Sequence, residues 1–101
     1  MSDEKVIVTI DADLEDLVPG FLENRSGDCA KLATALADND MQSIQSIGHN
    51  LKGLGGGYGF EKISELGAAL ETAAKAGDRE GISPLIGQLE SYLENVEVKF
   101  E

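Results

Sequence analysis

A chain of 101 residues is long enough for one domain with one core, and this one carries 19 acidic against 8 basic residues, a net charge of −11. Such an excess of carboxylates repels phosphate backbones and anionic headgroups, which excludes nucleic acid and the membrane surface as expected partners. No apolar run approaches the ~18 residues of a membrane span. One histidine and one cysteine make no zinc or iron site, and the scattered acids lack calcium-loop spacing, so no metal or cofactor is expected.

In chain order, Ser2-Asp3-Glu4-Lys5 is charged and lacks a signal-peptide pattern. Val6-Ile7-Val8-Thr9-Ile10 is rich in β-branched residues and reads as a strand. Val96-Glu97-Val98-Lys99-Phe100 alternates with period two, so the termini can pair as a small ribbon; the alternative is an extended arm at one end and helix at the other. Asp11-Ala12-Asp13 offers N-caps for a short helix through Leu14 and Leu17, which Pro19 either breaks or follows as the first position of the next helix. From there Val18, Leu22, Cys29, Leu32, Ala33 and Leu36 share one face. Cys29 lies inside that apolar arc and reads as a small core hydrophobe rather than a nucleophile; a lone thiol also excludes an internal disulfide and fits a reducing cytoplasm.

Asp38-Asn39-Asp40 ends this helix and caps the next, predicted from Met41 to about Gly55. Ile44, Ile47, Leu51, Leu54 and Tyr58 form its apolar stripe, whose mean direction on a helical wheel lies roughly 150° from His49. The imidazole therefore faces water, with Lys52, Gly53 and Gly56 on its own face at i+3, i+4 and i+7. A solvated face is ordinarily built of Glu, Lys and Gln. Here a ring stands beside a cation and two residues without side chains, which suggests a nucleophilic nitrogen that takes up a phosphoryl group. The glycines that follow, Gly55-Gly56-Gly57-Tyr58-Gly59, do not make a nucleotide loop. No Gly-x-Gly-x-x-Gly register fits, no Walker lysine follows, and no strand leads in.

The next helix begins near Phe60 and buries Ile63, Leu66, Gly67, Leu70, Ala73 and Ala74, a small-residue stripe that lets helices approach closely. Gly77-Asp78 stops it. Pro84 predicts a loose turn to Ile82, Ser83 as N-cap, and a last helix with Leu85, Ile86, Leu89, Tyr92, Leu93 and Val96 on one arc. Four amphipathic helices with short connections give an all-α fold: an antiparallel four-helix bundle preceded by a short helix, in a single domain spanning 1–101. The stripes are wider than a heptad seam, which favours a monomer over a coiled coil. No second catalytic group stands at a recognisable spacing from His49.

His49, Leu51, Lys52, Gly53, Gly56 and Gly59, then Phe60, the runs Leu66-Gly67-Ala68-Ala69-Leu70-Glu71 and Ala76-Gly77-Asp78, and upstream Phe21-Leu22-Glu23-Asn24-Arg25, resemble a histidine phosphotransfer (HPt) domain from about Asp11 to Leu93. Leu54, where a small residue is common, and the extra glycines Gly55 and Gly57 depart from the pattern. The resemblance implies a helical bundle with His49 as phospho-acceptor, Lys52 beside the phosphoryl group and Gly53 keeping the approach open. It also implies phosphoryl relay between response-regulator receiver domains, including that of a hybrid sensor histidine kinase, in the cytoplasm. The receiver, with its divalent cation, would supply most of the electrostatic stabilisation of the moving group, so the chain is expected to be no enzyme in its own right. A docking module of four helices without phosphotransfer is the alternative.

Overall fold

The computed structural model describes residues 5–101, so the charged start Ser2-Asp3-Glu4 lies outside the described residues. Strand β1 (Val6–Ile10) leads through a single 3-10 turn (Ala12–Leu14) to helices α1 (Val18–Ala37), α2 (Met41–Tyr58), α3 (Glu61–Lys75) and α4 (Arg79–Asn95), and α4 runs directly into strand β2 (Val96–Phe100). Each helix packs on its neighbours in sequence and α4 closes back on α1, which makes the expected antiparallel bundle. One core fills it: Leu32, Ile44, Leu51, Phe60, Ile63, Leu70, Ile82 and Leu89 are fully buried.

The terminal strands do pair, and they pair in parallel, Val6 opposite Val96 through Ile10 opposite Phe100. A parallel ladder requires a crossover, and here the whole bundle is the crossover. Val8 and Ile10 with Val98 and Phe100 turn toward the core, whereas Ile7, Thr9, Glu97 and Lys99 are exposed, as period two dictates. Backbone hydrogen bonds from Glu101 to Ile10 and from Ala12 to Glu101 extend the pairing by a step.

Three expectations shift. The short first helix is only one 3-10 turn, held by the Asp11 carboxylate accepting from the Asp13 N–H at 2.9 Å; Leu17 is 53% exposed and α1 begins at Val18, with Pro19 in its first turn where no N–H is needed. On α1 the buried face takes in Phe21 and Ala35, and Ala33 is exposed. Helix α4 starts at Arg79, not at Pro84: Asp78 caps the Gly81 N–H at 3.0 Å, Ile82 is fully buried, and Pro84 sits inside the helix. The proline costs one hydrogen bond, to the carbonyl of the exposed Glu80. Burial of Ile82 and the aspartate cap outweigh that loss.

Helix α2 also runs three residues further than expected, to Tyr58, whose ring stacks on Phe21 at 4.2 Å between centroids. Gly59 then closes it in the left-handed region at φ +87°, and the Phe60 N–H returns to the Gly55 carbonyl at 2.8 Å. The glycines at its end are helical and form no loop.

Candidate functional site

The placement of His49 begins with the glycine beside it. The buried side of α2 comprises Ile44, Gly48, Leu51 and Gly55, while Ile47 and Tyr58 are half-buried and Leu54 is 37% exposed. The helix is thus rotated from its hydrophobic stripe toward α3, because glycines open a second contact that hydrophobicity does not register. A Cβ on Gly48 would lie 2.7 Å from the Glu71 backbone nitrogen, one on Gly55 2.5 Å from that of Ser64, and one on Gly67 2.5 Å from that of Lys52. No side chain fits at these points, so the two backbones touch. Ser64 Oγ spans the seam, donating to the Lys52 carbonyl at 2.8 Å.

That approach carries Glu71 of α3 up to His49. The imidazole is 67% exposed, as the wheel requires, and its Nδ1 lies 3.1 Å from Glu71 Oε2. A carboxylate only accepts, so Nδ1–H is the donor in this contact, and in the neutral ring the lone pair is then on Nε2. Lys52 Nζ stands 3.8 Å from Glu71 Oε1, and Lys75 Nζ 3.8 Å from Oε2. Both lysines are more than half exposed, and contacts of this kind stabilise a fold by at most ~1 kcal/mol each. Their effect is local charge: two cations flank a single, mostly buried carboxylate beside a ring with a free nitrogen.

Of the residues singled out from sequence, His49 and Lys52 meet at Glu71, and Gly53 lines a groove with His49. A Cβ on Gly53 would meet nothing within 4 Å, so the approach along that face is open. Sequence reasoning missed Glu71 and Lys75 as members of the site. The available signal was position: Glu71 follows Gly67 by one helical turn, and Gly67 is the residue that brings α3 against α2.

Cys29 takes no part. It is buried, and desolvation, followed by the nearby Glu90 and Asp28 carboxylates, raises its thiol to about 11. Among the described residues no His, Cys, Asp and Glu side chains group in a way that could hold a metal ion, and no helix is long and apolar enough to cross a membrane.

Fold and site together define a helical module that displays one oriented imidazole on its surface instead of enclosing a substrate in a pocket. The family model of the Hpt domain matches residues 16–99, and the chain belongs to that family. Hpt domains are phosphotransfer modules of two-component signalling, not enzymes in the usual sense, and they interact with receiver domains and kinases. No curated protein and no solved structure matches the chain. Strand β1 and the 3-10 turn precede the matched residues.

Proposed function

We propose that residues 1–101 form one Hpt domain that works as a phosphorelay intermediate, with His49 as its phospho-acceptor. The observation that carries this reading is the 3.1 Å contact between His49 Nδ1 and Glu71 Oε2, which leaves Nε2 free on an exposed ring. The Nε2 lone pair attacks the phosphorus of an aspartyl phosphate held by a receiver domain. The bond from phosphorus to the aspartyl oxygen breaks, and its electron pair leaves on the receiver's carboxylate. Positive charge that develops on the ring is met at Nδ1–H by Glu71, and Lys52 and Lys75 face the incoming phosphoryl oxygens. Gly53 leaves room for the partner. The reverse sequence delivers the group to the next receiver.

The donor is the receiver of a hybrid sensor histidine kinase and the acceptor that of a response regulator; the module acts in the cytoplasm as a monomer. Incubation with a phosphorylated receiver followed by mass spectrometry of the intact chain tests the reading. One acid-labile, alkali-stable phosphoryl group on the parent and none on His49→Gln is the expected result, with helix content preserved because the side chain faces water. Equal labelling of both, or an acid-stable product, removes the relay and leaves a docking module.

A further inference from the structure

The terminal ribbon has an open outer edge. In a parallel ladder, successive residues of a strand turn their N–H and C=O alternately to its two sides. Glu101 donates to the Ile10 carbonyl and accepts from the Ala12 N–H, so the odd-numbered residues of β2 face β1. Val96, Val98 and Phe100 therefore turn their backbone groups the other way. The Val96 N–H is taken by the Tyr92 carbonyl at the end of α4. The Val96 carbonyl and both groups of Val98 and Phe100 have no backbone partner among the described residues. Such an edge is a template for a further strand.

Its side chains decide which strand fits. Val96, Val98 and Phe100 are half-buried on the core side, while Glu97 and Lys99 are exposed on the other and make no ion pair with a described residue. Charges on an edge ordinarily discourage pairing. These two are satisfied by the same strand running antiparallel. A two-fold axis through Val98 sets Glu97 opposite Lys99 of the second copy, and Lys99 opposite its Glu97. The backbone suits that axis as well. The two Val98 residues exchange N–H to carbonyl bonds, and each Phe100 N–H reaches the Val96 carbonyl of the other copy, the acceptor whose own N–H is already used. Glu97 and Lys99 then fall at the non-hydrogen-bonded positions, where facing side chains come closest. Strand β1 offers no such match, because Val6 to Ile10 carries no charge.

We propose that the β2 edge is a self-association surface: two copies of the chain pair their β2 strands antiparallel about Val98 into one continuous sheet, with Glu97 and Lys99 matched across the axis. A two-fold contact of this kind closes on itself and does not propagate. The edge is only five residues long and each chain carries −11, so the pair forms at raised concentration and the monomer is the working form below it. His49 contributes nothing to the edge, which makes the pairing independent of the phosphorelay reading.

Sedimentation velocity tests this from about 10 μM to about 1 mM in about 0.15 M salt, where a screening length of ~8 Å damps repulsion between whole molecules more than contact between facing ions. The parent should pass from monomer to dimer. Glu97→Lys and Lys99→Glu each set like charges opposite one another, and each should raise the dimer dissociation constant by roughly tenfold or more. The two changes move the net charge in opposite directions, so long-range repulsion does not account for a loss in both. The double variant Glu97→Lys/Lys99→Glu restores the match with the charges exchanged and should return to within about threefold of the parent. Both side chains are exposed, so circular dichroism should show an unchanged bundle in every variant. A parent that stays monomeric at the highest concentration overturns the proposal. A dimer that both single variants leave intact also overturns it, since the contact then lies elsewhere. So does a double variant as weak as the single ones, because loss without recovery is the mark of a damaged ribbon and not of matched charges.

Discussion

Glu71 accepts from Nδ1 of His49, which in the neutral ring leaves Nε2 as the free nitrogen, and its two properties, shape and charge, are separable. Glu71→Gln keeps an oxygen that accepts from Nδ1–H but removes the charge that stabilises a ring becoming cationic. Glu71→Ala removes both. Hydrogen bonds to charged groups are worth roughly 1.5–3 kcal/mol, so Glu71→Ala should slow single-turnover phosphotransfer by about ten- to a hundredfold, with Glu71→Gln between it and the parent. The phosphohistidine isomer, read by phosphorus NMR, should shift from Nε2 alone toward a mixture in Glu71→Ala; an unchanged isomer and rate would show that the carboxylate does not orient the ring. Lys52→Ala should slow transfer by no more than about fivefold, because an exposed cation contributes at most ~1 kcal/mol. Cys29 gives a prediction from the opposite situation. Its folded thiol titrates at about 11 against an ordinary value of 9.0, so the folded state holds the proton that the unfolded chain releases first. The corresponding stability is fully present below pH 9 and is lost as pH rises through about 11. Urea midpoints across that range should fall, the fall should be smaller in Cys29→Ala, and a thiol reagent at pH 8 should modify the cysteine only as the chain unfolds.

At the scale of elements, the glycines of α2 divide into two kinds that a propensity scale counts alike. Gly53 faces open space, so Gly53→Ala should stabilise the helix by ~0.5–1 kcal/mol through lost unfolded-state freedom. Gly48 faces the backbone of α3, so Gly48→Ala should destabilise by ~1–3 kcal/mol and move Glu71 away from His49. Urea unfolding of both variants checks the opposite signs, and the same sign in both would refute the division. The apolar spacing of Ile44, Leu51, Ile63, Leu66 and Leu70 made the helices legible, and the wheel angle made the exposure of His49 legible. The rotation of α2 was not, because a glycine that packs and a glycine that clears look identical in sequence until the facing helix is known. Glu71 went unseen for the same reason: its partner is 22 residues away and the contact depends on how closely α3 approaches. At Pro84 a sound local rule lost to tertiary burial, since the fully buried Ile82 holds the first turn of α4.

Across the whole molecule, the parallel ribbon joins the two ends of the chain and stands apart from the site. The strand patterns at both ends could be read, but not their direction, which follows from where α1 starts and α4 stops. Ile10 is the ribbon's anchor: it is 2% exposed, it reaches the α2–α3 turn, and its Cδ1 lies 3.2 Å from where a Cβ on Gly59 would stand. Ile10→Ala should therefore leave a void under the ribbon and cost ~2–4 kcal/mol of stability. Gly59, the C-cap of α2, follows His49 by ten residues, a separation of roughly 15 Å at 1.5 Å per residue. The α2–α3 seam is held by its own close contacts at Gly48, Gly55 and Gly67, whose nearest neighbours all belong to α2, α3 and the turn that joins them. Loss of the anchor should thus lower the urea midpoint and leave the labelling rate of His49 by a phosphorylated receiver unchanged, provided the assay is run where the variant is folded. A labelling rate that drops while circular dichroism still reports a full complement of helix would mean that the ribbon sets the geometry at Glu71, and that the ends of the chain belong to the site after all.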